Sequence, residues 1–314
     1  MGNSGKKFTG VGVREQIQLP PGQSFRLYRW NANLRDVELV MNPGRSVPLK
    51  GEGMHWHYHQ AMEITYFQRG EGTRFVGDQI APFKSGEIVL LGENLPHYWH
   101  TRGPSTGVGI QWHFPPDHPF WGFPETQEFA RHFRLAERGI RYRGAAATEI
   151  VGIIRELLTT EGASRLATLI QLIAAMARAP LADQELLSSQ PLLLATEARH
   201  QTAMRAAVGF LLANFREDVR LGQLLEVTGM SKPTFSRQFK RHAGKTVSEF
   251  LQQVRIEAAC DELQKTERPV IEIALGCGFS QISFFNRVFR RTCRCNPTEY
   301  RERHRKAPKS GPAA

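Results

Sequence analysis

The chain has 314 residues and carries 41 Lys or Arg against 30 Asp or Glu, a formal charge of +11 at neutral pH. This length predicts two domains rather than one, and no apolar run approaches the roughly 18 residues that a membrane-spanning helix needs. The charge is uneven: residues 199–306 hold 20 basic against 11 acidic side chains, and residues 1–198 hold 20 against 19, so the C-terminal part is expected to meet a polyanion.

Residues 1–10 are rich in Gly, Lys and Ser and predict disorder, without the apolar core of a secretory signal. Residues 8–20 suit an arm with one short strand. Residues 23–31 and 35–42 alternate and are rich in aromatic and branched side chains, which predicts strands. Turn signals recur at Asn42-Pro43-Gly44, Gly51-Glu52-Gly53, Arg69-Gly70-Glu71-Gly72, Gly77-Asp78, Lys84-Ser85-Gly86 and Arg102-Gly103-Pro104. Between them lie short runs at 63–68, 72–76, 87–91 and 107–114. Short strands with regular turns predict an antiparallel sandwich or barrel.

Gly51, His57, His59, Glu63 and Gly70 follow the spacing Gly-x5-His-x-His-x3-Glu-x6-Gly, and a second stretch runs from Gly86 to Pro96-His97. The two resemble the paired motifs of cupin barrels over residues 45–115. The second departs from the cupin enzymes, with Gly92 and Asn94 at the usual proline and glycine and Thr101 at the asparagine. Alternation predicts that His57 and His59 point from one strand face into the barrel. With Glu63 and His97 they admit three roles. They complete a four-ligand site for iron, manganese, zinc or nickel, they hydrogen-bond a sugar-sized ligand directly, or they bond only one another. His55 and His100 are spares. Trp56, Trp99 and Trp112 are pocket walls or, as their size favours, ordinary core.

Residues 115–124 break the strand pattern. Helical periodicity then predicts helices at 125–136, 148–159 and 163–177, with apolar stripes from Leu157, Leu158, Leu169, Ile170, Leu172 and Ile173. They cover the barrel or join two copies of the chain. Residues 178–198 contain Pro180 and Pro191 and no steady period, which suits an interdomain linker. A helix at 197–215 opens the second domain.

Residues 221–241 and 270–291 share one plan: an apolar helix, a glycine (Gly229, Gly278), one apolar residue, a serine (Ser231, Ser280), then a basic helix. The glycine suits a left-handed turn, and the serine suits an N-cap. Phe235 and Phe239, like Phe285 and Phe289, are four apart and form an inward stripe. Pro233, Ser236, Arg237 and Lys240 occupy the opposite face of the first helix, and Ser283, Asn286, Arg287 and Arg290 that of the second. Arg and Asn suit bidentate bonds to base edges, and Lys and Arg neutralise phosphates. A second copy roughly 50 residues on makes an ordinary solvated face a poor account of both.

Arg255-Ile256-Glu257-Ala258-Ala259-Cys260, Ile273-Ala274, Cys277-Gly278-Phe279-Ser280, Arg287-Val288-Phe289-Arg290 and Pro297-Thr298-Glu299-Tyr300-Arg301 resemble the signature of AraC/XylS-type transcription regulators. The resemblance covers residues 200–305. It implies two helix-turn-helix units joined rigidly by a helix over 247–263, with both recognition helices entering successive major grooves. A cupin sensory domain ahead of such a repeat matches the arabinose-regulator arrangement. Leu225 departs from the family's alanine, which bears on the packing of the first recognition helix. Ile282 reads a thymine methyl or packs. Cys260 and Cys277 fall at helix-core positions, Cys293-Arg294-Cys295 lacks a histidine at zinc-like spacing, and unpaired cysteines suit a reducing cytosol.

The expected fold is α+β: a cupin barrel with packed helices for ligand sensing and dimerisation over residues 1–178, a linker over 179–198, an all-α double helix-turn-helix over 199–306, and a loose tail over 307–314. The expected function is a ligand-responsive, sequence-specific transcription regulator, not an enzyme, in the cytoplasm. Base contacts are expected from Ser236, Arg237, Ser283, Asn286 and Arg287, and phosphate contacts from Lys232, Lys240, Arg241, Arg290 and Arg291. His57, His59, Glu63 and His97 are expected to bind the effector or a divalent metal. Expected partners are duplex DNA, a sugar or related small molecule, a second copy and, for an activator, RNA polymerase, but no membrane. A metal-dependent cupin enzyme with an accessory DNA-binding tail is the rival, opposed by the altered second motif. A non-specific nucleic-acid binder is opposed by the two patterned helix faces.

Overall fold

The computed structural model describes residues 17–32, 34, 36–49, 56–191 and 198–305. The N-terminal segment before residue 17, the Gly51–Gly53 turn signal, His55, the tail and residues 192–197 of the expected linker lie outside the described residues. The first domain contains β1 (Phe25–Ala32), β2 (Val37–Asn42), β3 (Arg45–Leu49), β4 (Met62–Arg69), β5 (Gly72–Val76), β6 (Gln79–Phe83), β7 (Ile88–Leu91), β8 (His97–Thr101) and β9 (Ser105–Trp112). There follow α1 (Phe129–Ala136), β10 (Ile140–Tyr142), α2 (Gly144–Leu157), α3 (Gly162–Arg178) and β11 (Gln184–Leu186).

The strands form two antiparallel sheets, one in the order β11-β10-β7-β4-β9-β1-β2-β3 and one in the order β6-β5-β8. The sheets face each other across Trp30, Phe67, Val76, Phe83, Val89, Leu91 and Trp99. The other face of the large sheet is covered by α1–α3, where Ile64, Tyr66, Ile88, Leu90 and Ile110 meet Ile150, Ile154, Leu172 and Met176. With both faces of β4 and β7 covered, every residue of β7 and the first six of β4 are buried. The inner face of β4 carries Glu63, Thr65 and Phe67. Arg165 of α3 is itself buried and donates to the carbonyls of Val40 (2.9 Å) and Met41 (2.7 Å), which pins the helices to the sheet.

The expected helix at 125–136 begins as a 3-10 turn at Pro124–Glu128 and becomes α-helical only at Phe129. The helix expected from 148 starts at Gly144, because Asp183 accepts from the Ala146 N–H at 3.0 Å and supplies the missing cap. Asp183 belongs to the stretch expected to be linker. There Leu181–Asp183 forms a 3-10 turn, and β11 pairs with β10 as the edge strand of the large sheet. A three-residue edge strand carries too little pattern to be read from sequence. Asp78 then holds Ser188 and Ser189 against the β5–β6 turn.

The C-terminal domain contains α4 (Ala198–Asn214), α5 (Leu221–Thr228), α6 (Lys232–Ala243), α7 (Val247–Lys265), α8 (Val270–Gly276), α9 (Ile282–Cys293) and α10 (Pro297–Arg305). One core gathers Met204, Leu211, Leu224, Phe235, Phe239 and Phe250. The other gathers Ile256, Cys260, Ile273, Phe279, Phe285 and Phe289. The helix α7 contributes to both, so it sets the relation of the two units. Its start is fixed by a capping box in which the Glu249 N–H donates to Thr246 Oγ1 and the Thr246 N–H donates back to the Glu249 carboxylate. No described helix is long and apolar enough to cross a membrane.

Candidate functional site

Two regions concentrate chemistry: the paired helices α6 and α9, and the space between the two sheets. In the first unit Gly229 closes α5 at φ 64° and Ser231 is the N-cap of α6. Its hydroxyl donates to Thr234 Oγ1 at 3.0 Å rather than accepting from a backbone N–H. In the second unit Gly278 sits at φ 87°, but Gln281 is the N-cap of α9. Ser280 therefore lies one position too early to cap, which corrects the expectation for that residue.

Phe235, Phe239, Phe285 and Phe289 are fully buried, as the inward stripes require. The opposite faces are open to solvent. Lys232, Pro233, Ser236, Arg237, Lys240 and Arg241 are exposed on α6, and Ser283, Arg287, Arg290 and Arg291 on α9. Asn286 is half-buried, and Ile282 packs against the second core. The Arg287 guanidinium lies 5.1 Å over the Phe284 ring, and Arg291 donates to Gln252 at 2.9 Å. Leu225 packs against the first core. Cys293 lies 3.5 Å from the core thiol of Cys260 through their sulfurs.

Between the sheets lies a partly open cavity lined by Arg26, Tyr28, Trp30, His57, Glu63 and Trp99, among others. Register builds its floor. Arg26 pairs with Gln111 and Gln111 with Glu63; one step along, Tyr28 pairs with Gly109 and Gly109 with Thr65. Glu63 accepts from Tyr28 Oη at 3.0 Å, Thr65 Oγ1 at 2.6 Å and Gln111 Nε2 at 2.5 Å, and its Oε2 lies 3.0 Å from His59 Nε2. Burial alone would raise its proton affinity. The His59 contact and the nearby imidazoles outweigh that and hold the carboxyl well below the usual range. Burial and His57 also push His97 well below the ordinary imidazole value, so it is neutral at pH 7.

His57 and His59 reach this place by a route other than the one expected. They lie on the irregular segment before β4, and His57 makes an isolated bridge to His97. Candidate ligand atoms of His57, His59 and His97 nevertheless lie within 4.8 Å of one another. His59 Nδ1 and His97 Nδ1 each lie 2.8 Å from a backbone carbonyl, Ala61 and Leu95. A carbonyl only accepts, so both Nδ1 atoms carry hydrogen. The neutral ring of His97 thus turns a lone pair at Nε2 toward Glu63 Oε2, 3.8 Å away, and no donor among the described residues meets that atom. Converging acceptors with outer nitrogens tied to carbonyls are the donor set a divalent cation takes.

Sequence reasoning missed Arg26, Tyr28, Thr65 and Gln111. Gly107 and Gly109 in β9 held the available signal, since aromatic side chains on a paired strand fold over glycines. A Cβ on Gly109 would collide with the Tyr28 ring, and one on Gly107 with Trp30. Gly109→Val is therefore expected to evict Tyr28, remove one donor from Glu63 and fill the cavity while α6 and α9 stay folded. A crystal structure of the variant checks this, and an unmoved Tyr28 ring contradicts it. Trp99 lines the cavity with its indole nitrogen buried and without a hydrogen-bond partner among the described residues, Trp112 is core, and Trp56 packs on α7.

A family model described as a helix-turn-helix domain matches residues 224–303. The chain is 24% identical over 237 residues to the HTH-type transcriptional activator RhaS of Pectobacterium carotovorum subsp. carotovorum (strain PC1), over 75% of this chain and 83% of that one. It is 27% identical over 290 residues to the HTH-type transcriptional activator RhaR of Enterobacter sp. (strain 638), over 87% and 98%. A solved transcriptional regulator from Chromobacterium violaceum, described as AraC-type and DNA-binding, is 27% identical over 36% of this chain and all of its own, with a TM-score of 0.33.

Proposed function

We propose that this chain, whose C-terminal domain is of the AraC type and which is homologous over most of its length to the RhaS and RhaR activators, is a ligand-responsive, sequence-specific regulator of transcription. The observation that carries this is the doubled recognition helix. Phenylalanines seal the back of each, and Arg237 and Arg287 stand exposed on the front. Ser236, Arg237, Ser283, Asn286 and Arg287 are assigned to base edges. Lys232, Lys240, Arg241, Arg290 and Arg291 are assigned to phosphates. Activation follows the names of the relatives, and RNA polymerase is assigned as the partner of an activator. Homodimerisation and a cytoplasmic location follow from the same assignment.

The effector is assigned to the barrel cavity. Trp30, Trp99 and Tyr28 offer aromatic faces, and Glu63, Gln111 and His57 offer polar groups, a lining that suits a sugar or related hydroxylated molecule. His57, His59, Glu63 and His97 would hold a divalent metal there. Such an ion supplies a charged anchor for an oxygen of the effector. The residues themselves orient the effector: Tyr28, Thr65 and Gln111 hold Glu63 in place, and the tied Nδ1 atoms fix the two rings. A ligand acts only through a difference in affinity between two states of the protein. Strand β8 is suited to carry that difference, because Trp99 lines the cavity while its neighbour Tyr98 packs against the core that α7 shares.

Selection from random duplex DNA by the full-length protein tests the proposal. The expected product contains two half-sites about one helical turn apart per protein chain. A pool that stays random overturns it.

A further inference from the structure

The sensor and the DNA-binding domain meet along α7. Phe250 stacks on Phe75 of β5 with ring centroids 5.9 Å apart and meets Trp56 edge-on at 6.4 Å. Gln253 Nε2 donates to the Ile80 carbonyl of β6 at 2.6 Å. Further along, Arg102 pairs with Asp261 at 2.6 Å, and Lys265 bridges Glu71 and Asp261. Between the aromatic end and the ionic end lies Glu257, 8% exposed. We propose that this seam is a proton-linked latch, in which Glu257 must take up a proton for α7 to lie flat on the small sheet.

The surroundings of Glu257 explain why. From β5 it sees Arg74, but that guanidinium is committed to Glu87 and to Gln79. From the end of β8 it sees Arg102, committed to Asp261 and to Thr73 Oγ1. His100 is the other titratable imidazole on β8, and β6 brings no ionisable side chain. On α7 itself the neighbours are Cys260 and Asp261, one neutral and one a like charge. Among the described residues no ion pair reaches Glu257. A carboxylate buried without a counter-ion of its own is costly, and protonation relieves the cost. Burial accordingly raises Glu257 to about 7, and the two arginines offset only part of that rise.

The sign follows from linkage. An acid bound more tightly to its proton in the docked state favours docking below its free value of 4.5, and that advantage is lost as pH rises through about 7. Between about pH 5.5 and 8 docking weakens on the order of tenfold or more. The inference goes beyond the proposed function and needs neither effector nor DNA, so the two can fail separately.

Small-angle X-ray scattering of the full chain reads the latch directly. The wild type is expected to be compact near pH 5.5 and to lengthen near pH 8. Glu257→Gln, which carries no charge at either pH, is expected to stay compact at both. Circular dichroism checks that the variant folds, and Glu257→Met is the substitute with the same expected profile. A wild type of constant dimensions, or a neutral variant that lengthens in step with it, overturns the latch.

Discussion

Alanine at Gly278 is expected to destabilise the helical domain by about 3 kcal/mol or more, whereas alanine at the equivalent Gly229 costs about 1 kcal/mol. Both glycines hold left-handed backbone, at φ 87° and 64°, so both variants carry the conformational term. Only Gly278 carries a second one. Its added Cβ would stand 2.6 Å from the Phe215 carbonyl oxygen and 2.9 Å from that of Arg216, whereas nothing among the described residues lies within 4 Å of the same atom on Gly229. The Phe215 carbonyl cannot retreat freely. Arg255 Nε donates to Phe215 O at 2.6 Å, and its Nη2 donates to Glu217 O at 2.7 Å, which draws the α4–α5 connection against the second unit. Urea unfolding of each full-length variant, followed by helical circular dichroism, measures the difference. Equal midpoints would mean that the connection yields, and that the two units are not clamped as tightly as Arg255 implies.

That contrast also explains what sequence could and could not deliver. The two recognition helices were legible because everything that defines them is local. A glycine, two phenylalanines four apart and a basic opposite face all lie within one turn and one helix. The four phenylalanines are buried as predicted, although Asn286 of the opposite face is half-buried. Ser280 misled because a cap depends on where the helix starts, and the start moved by one residue. The cavity was only partly legible. His57, His59, Glu63 and His97 carry a motif spacing, but Arg26 and Gln111 lie 85 positions apart and meet only through strand pairing. Where both strand faces are covered, as in β4 and β7, no alternation remains to say which residues point inward. The helix α7 hid its partner for a similar reason. It serves two cores and the barrel at once, so no solvent face betrays the seam, and Trp56 gave no sign that it would pack on Phe250.

Removal of both Arg237 and Arg287 is expected to weaken binding to the selected DNA by about 30-fold to 10⁴-fold, from roughly 1–3 kcal/mol for each bidentate base contact. The two side chains stand on separate helices, so their effects should add. Each is exposed and joined to no acidic partner among the described residues, so its loss leaves the fold intact. The losses should also be selective. Arg237→Ala should relax preference at one position of one half-site, and Arg287→Ala at one position of the other. Lys240→Ala is the contrasting case. As a phosphate contact it should weaken every sequence alike and lower the dependence of binding on salt by about one ion. Titrations against the selected site, single-base variants and unrelated DNA at several salt concentrations separate these outcomes. If the arginine variants lost affinity uniformly and the salt slope fell with them, α6 and α9 would be gripping the backbone, and whatever sequence preference the protein has would have to come from the shape of the DNA.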